Sequence, residues 1–192
     1  MPDRETEDRR VRKTKKQLRS ALTQLLLEKD INRVTVRDVA DLADVNRGTF
    51  YAHYSDVYDL LHQLEDDLLR HLDEVGRRHD ARRSDGKSFL YLTDLFSLAG
   101  EYSDIFYTLY CRSGDAEFQN KIFNKLKYQY LYEFLSIYGG SESEKLDYCA
   151  SFIVAGMCTL AKVWIENGMR ETPEEMSRLG GAFIMHGVEM LQ

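Results

Sequence analysis

The chain has 192 residues, of which 43% are hydrophobic and 30% are charged, and this composition indicates a globular protein rather than a disordered one. No apolar run approaches the ~20 residues that cross a bilayer, and the charged N-terminus lacks the apolar core of a secretory signal, so a membrane protein is not expected. Cys111, Cys149 and Cys158 show no paired-ligand spacing, which favours reduced thiols in a cytoplasmic protein.

The formal net charge of −6 conceals a gradient along the chain. Residues 1–54 carry 12 Lys+Arg and 9 Asp+Glu, whereas the remaining 138 carry 14 and 23. A local basic face can approach a phosphate backbone even when the whole protein is acidic, although solvated helix ends show such runs at least as often. The basic residues concentrate at Arg9, Arg10, Arg12, Lys13, Lys15, Lys16 and Arg19, with no acid between them.

The first three predicted helices lie within residues 1–54. Val11, Leu18, Leu22, Leu25 and Leu26 recur at helical spacings and predict a first amphipathic helix. Thr35, with an acid three residues later, predicts the N-cap of a second helix, and Asn46 can cap a third over residues 47–53. Two short helices separated by about four residues define a helix-turn-helix, whose second helix enters the major groove of DNA.

The rest of the chain is also predicted to be helical. A fourth helix begins near Ser55 or Asp56, with apolar residues at threes and fours, and Gly76 is expected to end it. Further helices are predicted near 88–100, 102–111, 115–138, 144–167 and 173–190. No segment alternates as a strand does. The fold class is therefore all-α, with a three-helix helix-turn-helix head at 1–54 and a C-terminal helical bundle at 55–192.

Residues 35–54 read Thr-Val-Arg-Asp-Val-Ala-Asp-Leu-Ala-Asp-Val-Asn-Arg-Gly-Thr-Phe-Tyr-Ala-His-Tyr. This stretch resembles the DNA-binding signature of the TetR/AcrR family. The usual form of that signature is Thr-x-x-x-Ile-Ala-x-x-Ala-Gly-Val-Ser, followed by x-Gly-Thr-Phe-Tyr-x-His-Phe. The resemblance covers about residues 9–60 and implies a DNA-binding transcription regulator whose third helix reads the major groove.

The resemblance also assigns roles within the head. It implies base contacts for Arg47 and Thr49 and an apolar contact for Ala52, whereas Phe50 and Tyr54 would pack inward. Tyr51, His53 and Thr35 would hold phosphates, and Gly48 lets the backbone approach DNA. The full predicted set is Thr35, Arg37, Asn46, Arg47, Gly48, Thr49, Tyr51, Ala52 and His53.

Two positions depart from the family pattern. Asp44 stands where the family has the glycine of the turn, and Val57 stands where a phosphate-contacting lysine is common. Both changes are expected to weaken the grip on the DNA backbone, and the basic run at 9–19 is expected to compensate.

The C-terminal part resembles the branch of the family that includes dihydroxyacetone-kinase-operon regulators. The resemblance rests on Phe152 through Met169 and on Thr172-Pro173-Glu174-Glu175. It implies a homodimer formed through the last two long helices, so 55–192 would be an effector-binding and dimerisation domain. Small residues at helical spacings would permit close helix approach, within one chain or between two: Ala150, Ala155, Gly156 and Ala161.

Aromatic residues concentrate in the middle of the chain, where they favour either an effector pocket or an ordinary core. The pocket residues predicted first are Phe106, Tyr110, Phe123, Tyr130 and Trp164. His62 and Asp66 have the spacing of a metal clamp but lack a second pair, so no metal site is predicted. No nucleophile triad, phosphate loop or dinucleotide fingerprint occurs, so neither catalytic residues nor a cofactor are predicted.

The function expected from the sequence is a ligand-responsive repressor that binds a near-palindromic DNA operator as a homodimer. Its small-molecule effector is not identified by the sequence. The alternative is an activator or co-activator whose larger domain docks a protein partner. An enzyme that uses the aromatic cavity is a third hypothesis, for which the sequence offers no positive case.

Overall fold

The structure is a computed structural model that describes residues 4–79, 90–112, 116–131 and 143–189. Over these ranges the chain is helical and contains no strand, which confirms the all-α prediction. A 3-10 turn at Ile31–Arg33 precedes the second helix, and π-helical segments span Phe106–Arg112 and Lys125–Leu131. The α-helices are α1 (Arg4–Leu26), α2 (Val36–Leu42), α3 (Arg47–Tyr51), α4 (Val57–Arg78), α5 (Leu90–Glu101), α6 (Ser103–Ile105), α7 (Ala116–Asn124), α8 (Ser143–Glu166) and α9 (Pro173–Glu189).

The chain forms two compact units, a head of Met1–Asp67 and a larger unit of Leu68–Gln192. The division falls inside α4 and therefore later than the domain boundary expected after Tyr54. The first turns of α4 belong to the head, and their apolar side chains, such as Leu60 and Leu64, are buried.

The core of the head is built by the apolar faces of its four helices. Leu18 and Leu22 of α1 are fully buried, as are Val39 of α2 and Phe50 of α3. α1 packs against α2, and α2 against α3. The seven residues of the predicted α4 stripe are all buried: Val57, Leu60, Leu61, Leu64, Leu68, Leu72 and Val75.

In the larger unit, α5 packs against both α8 and α9. Phe96 of α5 meets Trp164 of α8 edge to face, with the ring centroids 5.7 Å apart. The indole Nε1 of Trp164 donates to the carbonyl of Glu171 at 3.0 Å, which satisfies its buried N–H. α9 begins as predicted, because Glu175 N donates to Thr172 Oγ1 at 3.2 Å and Thr172 N donates to the Glu175 carboxylate at 2.8 Å.

Two sequence-based boundaries were wrong. α4 continues through Gly76 to Arg78, where Arg78 and His79 both reach Asp94 of α5. The helix predicted over 115–138 is α-helical only to Asn124 and then widens into a π-helix; the residues after 131 lie outside the described part.

Long-range ion pairs accompany the second π-helical segment. Lys125 binds Asp73 of α4 at 2.6 Å, and Lys127 binds Asp147 of α8 at 2.8 Å. The hydrogen bond to Asp147 raises the pKa of the Lys127 ammonium above its ordinary value. Two lysines only two residues apart are thus tied to different helices, an arrangement that local helical periodicity does not encode.

Candidate nucleic-acid interface

The second helix of the head starts at a reciprocal cap. Asp38 N donates to Thr35 Oγ1 at 3.2 Å, and Thr35 N donates to Asp38 Oδ2 at 3.0 Å. Lys29 Nζ also donates to Asp38 Oδ2, at 2.8 Å. The hydrogen bond from Lys29 contributes most, and the one from the Thr35 backbone next, to lowering the pKa of Asp38 from 3.8 to about 2. The predicted cap at Thr35 is confirmed, and its hydroxyl is engaged in holding α2.

This cap predicts an acid dependence of stability. The pKa of Asp38 is lower in the folded state than its ordinary value of 3.8. The contribution of this carboxylate to the unfolding free energy is therefore fully present above pH 3.8 and disappears as the pH falls through about 2. We expect the loss of unfolding free energy caused by Asp38→Asn to be larger at about pH 5 than at about pH 2. Urea unfolding of both proteins at each pH measures the difference, and an equal loss at the two pH values would contradict the assignment.

The joint between α2 and α3 turns through a left-handed residue. Asp44 has φ of 53°, directly after the C-cap Ala43, and Val45 N donates to the carbonyl of Ala40 at 3.0 Å. Glycine adopts this conformation without a Cβ penalty, and aspartate tolerates it better than most residues. The geometry therefore accounts for the family's glycine at this position and shows that Asp44 preserves the turn.

Asp44→Gly is expected to raise the unfolding free energy by about 0.5 kcal/mol, because relief of the left-handed strain outweighs the extra chain entropy of glycine. Asp44→Ala is the matched control, since alanine has neither the freedom of glycine nor the local hydrogen bonding of aspartate, and it should destabilise. Urea midpoints at constant slope report both changes. Stabilisation by both variants would show that the carboxylate, rather than φ, is unfavourable here.

α3 presents one side outward and buries the other. The side chain of Asn46 caps it by accepting from Gly48 N at 2.8 Å. Phe50 is fully buried and Tyr54 is 2% exposed, so both pack inward as predicted. Of the predicted contact set, Thr35, Arg37, Asn46, Arg47, Gly48, Tyr51 and Ala52 are exposed, and Thr49 and His53 are half-buried.

The basic run at 9–19 contributes one residue to the structure of the head itself. The Arg19 guanidinium donates to the carboxylate of Asp67 on α4. Burial alone would lower the pKa of Arg19, but Tyr54 and Asp67 beside it raise that pKa above its ordinary value. Arg19 is thus a structural ion-pair residue rather than a free phosphate ligand. The exposed members of the run are Arg9, Arg10, Arg12, Lys13 and Lys16.

Val57, in place of the family lysine, opens α4 as a core residue. Asp56 caps the helix by accepting from Asp59 N at 2.8 Å, and Val57 is 6% exposed. The bond that Ser55 N donates to the Asp59 carboxylate lowers the pKa of Asp59. The start of α4 therefore carries two carboxylates and no lysine or arginine, and the weaker grip on the DNA backbone stays a prediction.

A cavity of about 90 Å³ lies in the larger unit, apart from the head. Of the predicted pocket residues, Phe106 lines it and Tyr110 stacks on Phe106 with the centroids 5.0 Å apart. Trp164 belongs to the core cluster that also contains Phe96 and Phe106. The ring centroid of Phe123 lies 6.0 Å from Lys127 Nζ. The side chain of Tyr130 lies outside the described residues. The lining residues are Leu68, Leu72, Leu95, Phe96, Leu98, Ala99, Phe106, Ile122, Leu126, Met157, Cys158 and Ala161.

The remaining candidates supply no reactive site among the described side chains. Cys158 is buried, and burial raises the pKa of its thiol to about 11; the half-buried Cys149 is shifted in the same direction for the same reason. The side chain of Cys111 lies outside the described part. Within that part, no group of three or more His, Cys, Asp or Glu side chains is placed to hold a metal, and His62 and Asp66 are both exposed.

Over its described residues the chain is helical, and its head presents two short helices, each with a side-chain cap, in the helix-turn-helix arrangement that DNA-binding transcription regulators use. The profile of bacterial regulatory proteins of the tetR family matches residues 18–64, and the transcriptional regulator C-terminal region TetR_C_8 matches residues 87–186. The chain therefore belongs to the TetR family. Members of this family are DNA-binding regulators rather than enzymes.

Individual proteins support this assignment to different extents. A TetR transcriptional regulator from Streptococcus agalactiae 2603V is 26% identical, with a TM-score of 0.59 over 99% of each chain. FadR from Bacillus subtilis, solved with stearoyl-CoA, is 15% identical, with a TM-score of 0.62 over 90% of this chain and 96% of its own, and shows the fold alone. The regulator YxbF of Bacillus subtilis (strain 168) is 33% identical over 52 residues, which are 27% of this chain and 14% of that protein. The dihydroxyacetone-kinase branch stays a prediction.

Proposed function

We propose that this DNA-binding regulator is a cytoplasmic, ligand-responsive repressor that acts as a homodimer on a near-palindromic operator. The observation that carries the sequence-specific reading is the outward side of α3, where Arg47, Gly48, Tyr51 and Ala52 are exposed while Phe50 anchors the helix from behind. A recognition helix has to show its N-terminal residues to base edges in the major groove.

The support for a homodimer is an apolar stripe along α8. Phe152 is 81% exposed and Tyr148 is 75% exposed, one turn apart, and Val163 continues the same side. The small residues Ala155 and Gly156 lie exposed between them, and no atom lies within 4 Å of where a Cβ on Gly156 would be. Ala150 and Ala161, by contrast, are buried and belong to the core of the larger unit.

α9 adds a second apolar surface, formed by Leu179 and Phe183. These residues lie one turn apart and are 46% and 63% exposed. By length and composition alone, Lys145–Glu166 of α8 could also cross a membrane, a test that core and interface helices pass as well. Because the chain belongs to a family of DNA-binding regulators, we assign both surfaces to a second copy of the chain.

Ligand response is assigned to the cavity of the larger unit through α4. Leu68 and Leu72 of α4 line that cavity, and the same helix begins in the head, where Val57, Leu60 and Leu64 are buried. A ligand that favours one arrangement of α4 would change the spacing of two heads and thereby the affinity for DNA. FadR from Bacillus subtilis provides a relative of this fold that holds an acyl-CoA.

The alternative is an activator or co-activator, and the exposed apolar side chains of α8 and α9 favour it to the extent that a protein partner could cover them. Mass measurement of the purified full chain separates the two assignments. A homodimer at micromolar concentration supports the proposal, whereas a monomer that pairs stoichiometrically with a second protein supports the alternative.

Selection of bound duplexes from a random DNA pool tests the operator assignment. Two α3 helices related by a twofold axis should recover a near-palindrome with half-site centres about 10 base pairs, or 34–36 Å, apart or a multiple of that distance. Recovery of single, unpaired half-sites would contradict a homodimeric reader. Recovery of no consensus would contradict sequence-specific reading.

A further inference from the structure

We propose that the cavity of the larger unit takes a compact, uncharged, apolar ligand of about the size of a monocyclic aromatic hydrocarbon. This inference rests on the ligand-responsive function proposed above and specifies the chemistry of its effector. It does not depend on which DNA sequence the head binds.

The wall of the cavity is apolar. The twelve described lining side chains are aliphatic, aromatic, or carry sulfur, and none of these twelve bears a charge, an amide or a hydroxyl. The sulfur atoms of Met157 and Cys158 are the weakly polar atoms among these side chains. Burial raises the pKa of the Cys158 thiol to about 11, so it lines the cavity as a neutral group. A carboxylate placed in such a wall would lose its hydration without gaining a partner, which opposes charged ligands strongly.

Two polar residues that are adjacent in sequence to lining residues already have partners. His71, next to Leu72, lies within hydrogen-bond distance of the Tyr102 hydroxyl at 3.1 Å. Lys125, next to Leu126, is paired with Asp73 at 2.6 Å. A charged ligand that drew on either residue for a counter-charge would compete with these contacts, whereas a hydrocarbon would leave them intact.

The size of the cavity limits the size of the ligand. The cavity volume is about 90 Å³, and an engineered apolar cavity of about 150 Å³ in another protein stays dry and binds benzene. A space of this order suits a single small ring. A long acyl chain is larger than this space, so most of it would lie outside the apolar lining.

Thermal unfolding of the full chain with three compounds tests the ligand class. Toluene is the neutral probe, benzoate is its charged counterpart of similar size, and stearoyl-CoA is the long-chain ligand. At about ten times its Kd, toluene is expected to raise Tm by roughly 3 °C, because it binds the folded state alone. Benzoate and stearoyl-CoA are expected to leave Tm unchanged.

Two substitutions fill the cavity from different helices. Ala161→Leu on α8 and Ala99→Leu on α5 should each remove at least about nine-tenths of the toluene-induced shift, by occupying the space that the ring needs. Ala116→Leu, at an exposed position of α7, is the matched control and should keep the full shift. Circular dichroism without ligand verifies that each variant folds, and the three compounds on the unmodified chain decide the ligand class even if both filled variants unfold.

An equal shift with benzoate, a shift with stearoyl-CoA but not with toluene, or no shift with any of the three would overturn the proposal. A toluene shift that survives in both folded, filled variants would also overturn it, since the ligand would then bind elsewhere. Failure of the chain to select DNA would count against the operator assignment, and the toluene result would stand apart from it.

Discussion

Phe152→Asp is expected to convert the protein into a monomer and to weaken its binding to the selected operator by at least about 100-fold. Phe152 is 81% exposed in the middle of the apolar stripe of α8, so a carboxylate there would be buried against apolar side chains when a second copy covers that stripe. A dimer binds its second half-site as an intramolecular event, and that advantage is commonly 10² to 10⁴. The loss of operator affinity should therefore come from the loss of the dimer rather than from unfolding of the single chain.

Sedimentation of the variant at micromolar concentration, with a DNA titration alongside, measures both effects. Leu90→Asp is the control, since Leu90 is a 62% exposed apolar residue on α5 rather than on α8 or α9, and this variant should stay dimeric. A dimeric Phe152→Asp protein with unchanged DNA affinity would remove α8 from the interface.

Arg47→Ala is expected to reduce the preference for the operator over random DNA by about 1–3 kcal/mol, which is roughly fivefold to more than a hundredfold. Arg47 is exposed at the first position of α3, where a recognition helix meets base edges. Tyr51→Phe should instead weaken binding to both DNAs alike, because a hydroxyl that bonds a phosphate carries no sequence information. The ring of Tyr51 meets Phe50 edge to face with the centroids 5.7 Å apart, so phenylalanine preserves that packing.

Titration of each variant against the operator and a scrambled duplex at one salt concentration separates the two roles. Arg170→Ala, at an exposed arginine of the larger unit, removes the same charge away from α3 and should change neither affinity. Equal losses on both DNAs for Arg47→Ala would show that Arg47 contacts the backbone rather than bases.

The parts of this fold that the sequence could predict depend on local chemistry. Thr35 with Asp38 is a cap whose two members lie three residues apart, so a short window of sequence predicts it, and it is confirmed. The cap that Thr172 and Glu175 form at the start of α9 has the same spacing. The apolar stripe of α4 follows for the same reason, because helical periodicity alone decides which side is buried.

The parts that could not be predicted depend on contacts between distant residues. By sequence, Arg19 is one more cation of the basic run at 9–19. Its ion pair with Asp67, which lies 48 residues further along the chain, gives it a structural role. The π-helical turn at Lys125–Leu131 contains lysines that pair with Asp73 and Asp147 on two other helices. Periodicity contains no information on such pairings.

The candidate pocket shows the same division. The concentration of aromatic residues in the middle of the sequence favours an aromatic pocket, and Phe106 does line the cavity. Most of the wall is aliphatic, however, with Leu72, Leu95 and Met157 brought together from three helices. Leucines are frequent at core positions throughout an all-helical chain, so residue type could not distinguish those around a void from those in a packed core.

The preference of the full chain for its selected operator over a scrambled duplex of equal length tests the central claim most directly. Competition binding at about 0.15 M salt suppresses the contribution of the exposed basic residues of α1 and leaves the part that depends on base sequence. The account predicts a preference of at least about 10³, as specific DNA-binding proteins show. A ratio near one would mean that the outward side of α3 does not read bases, and sequence-specific regulation by this head would have to be abandoned.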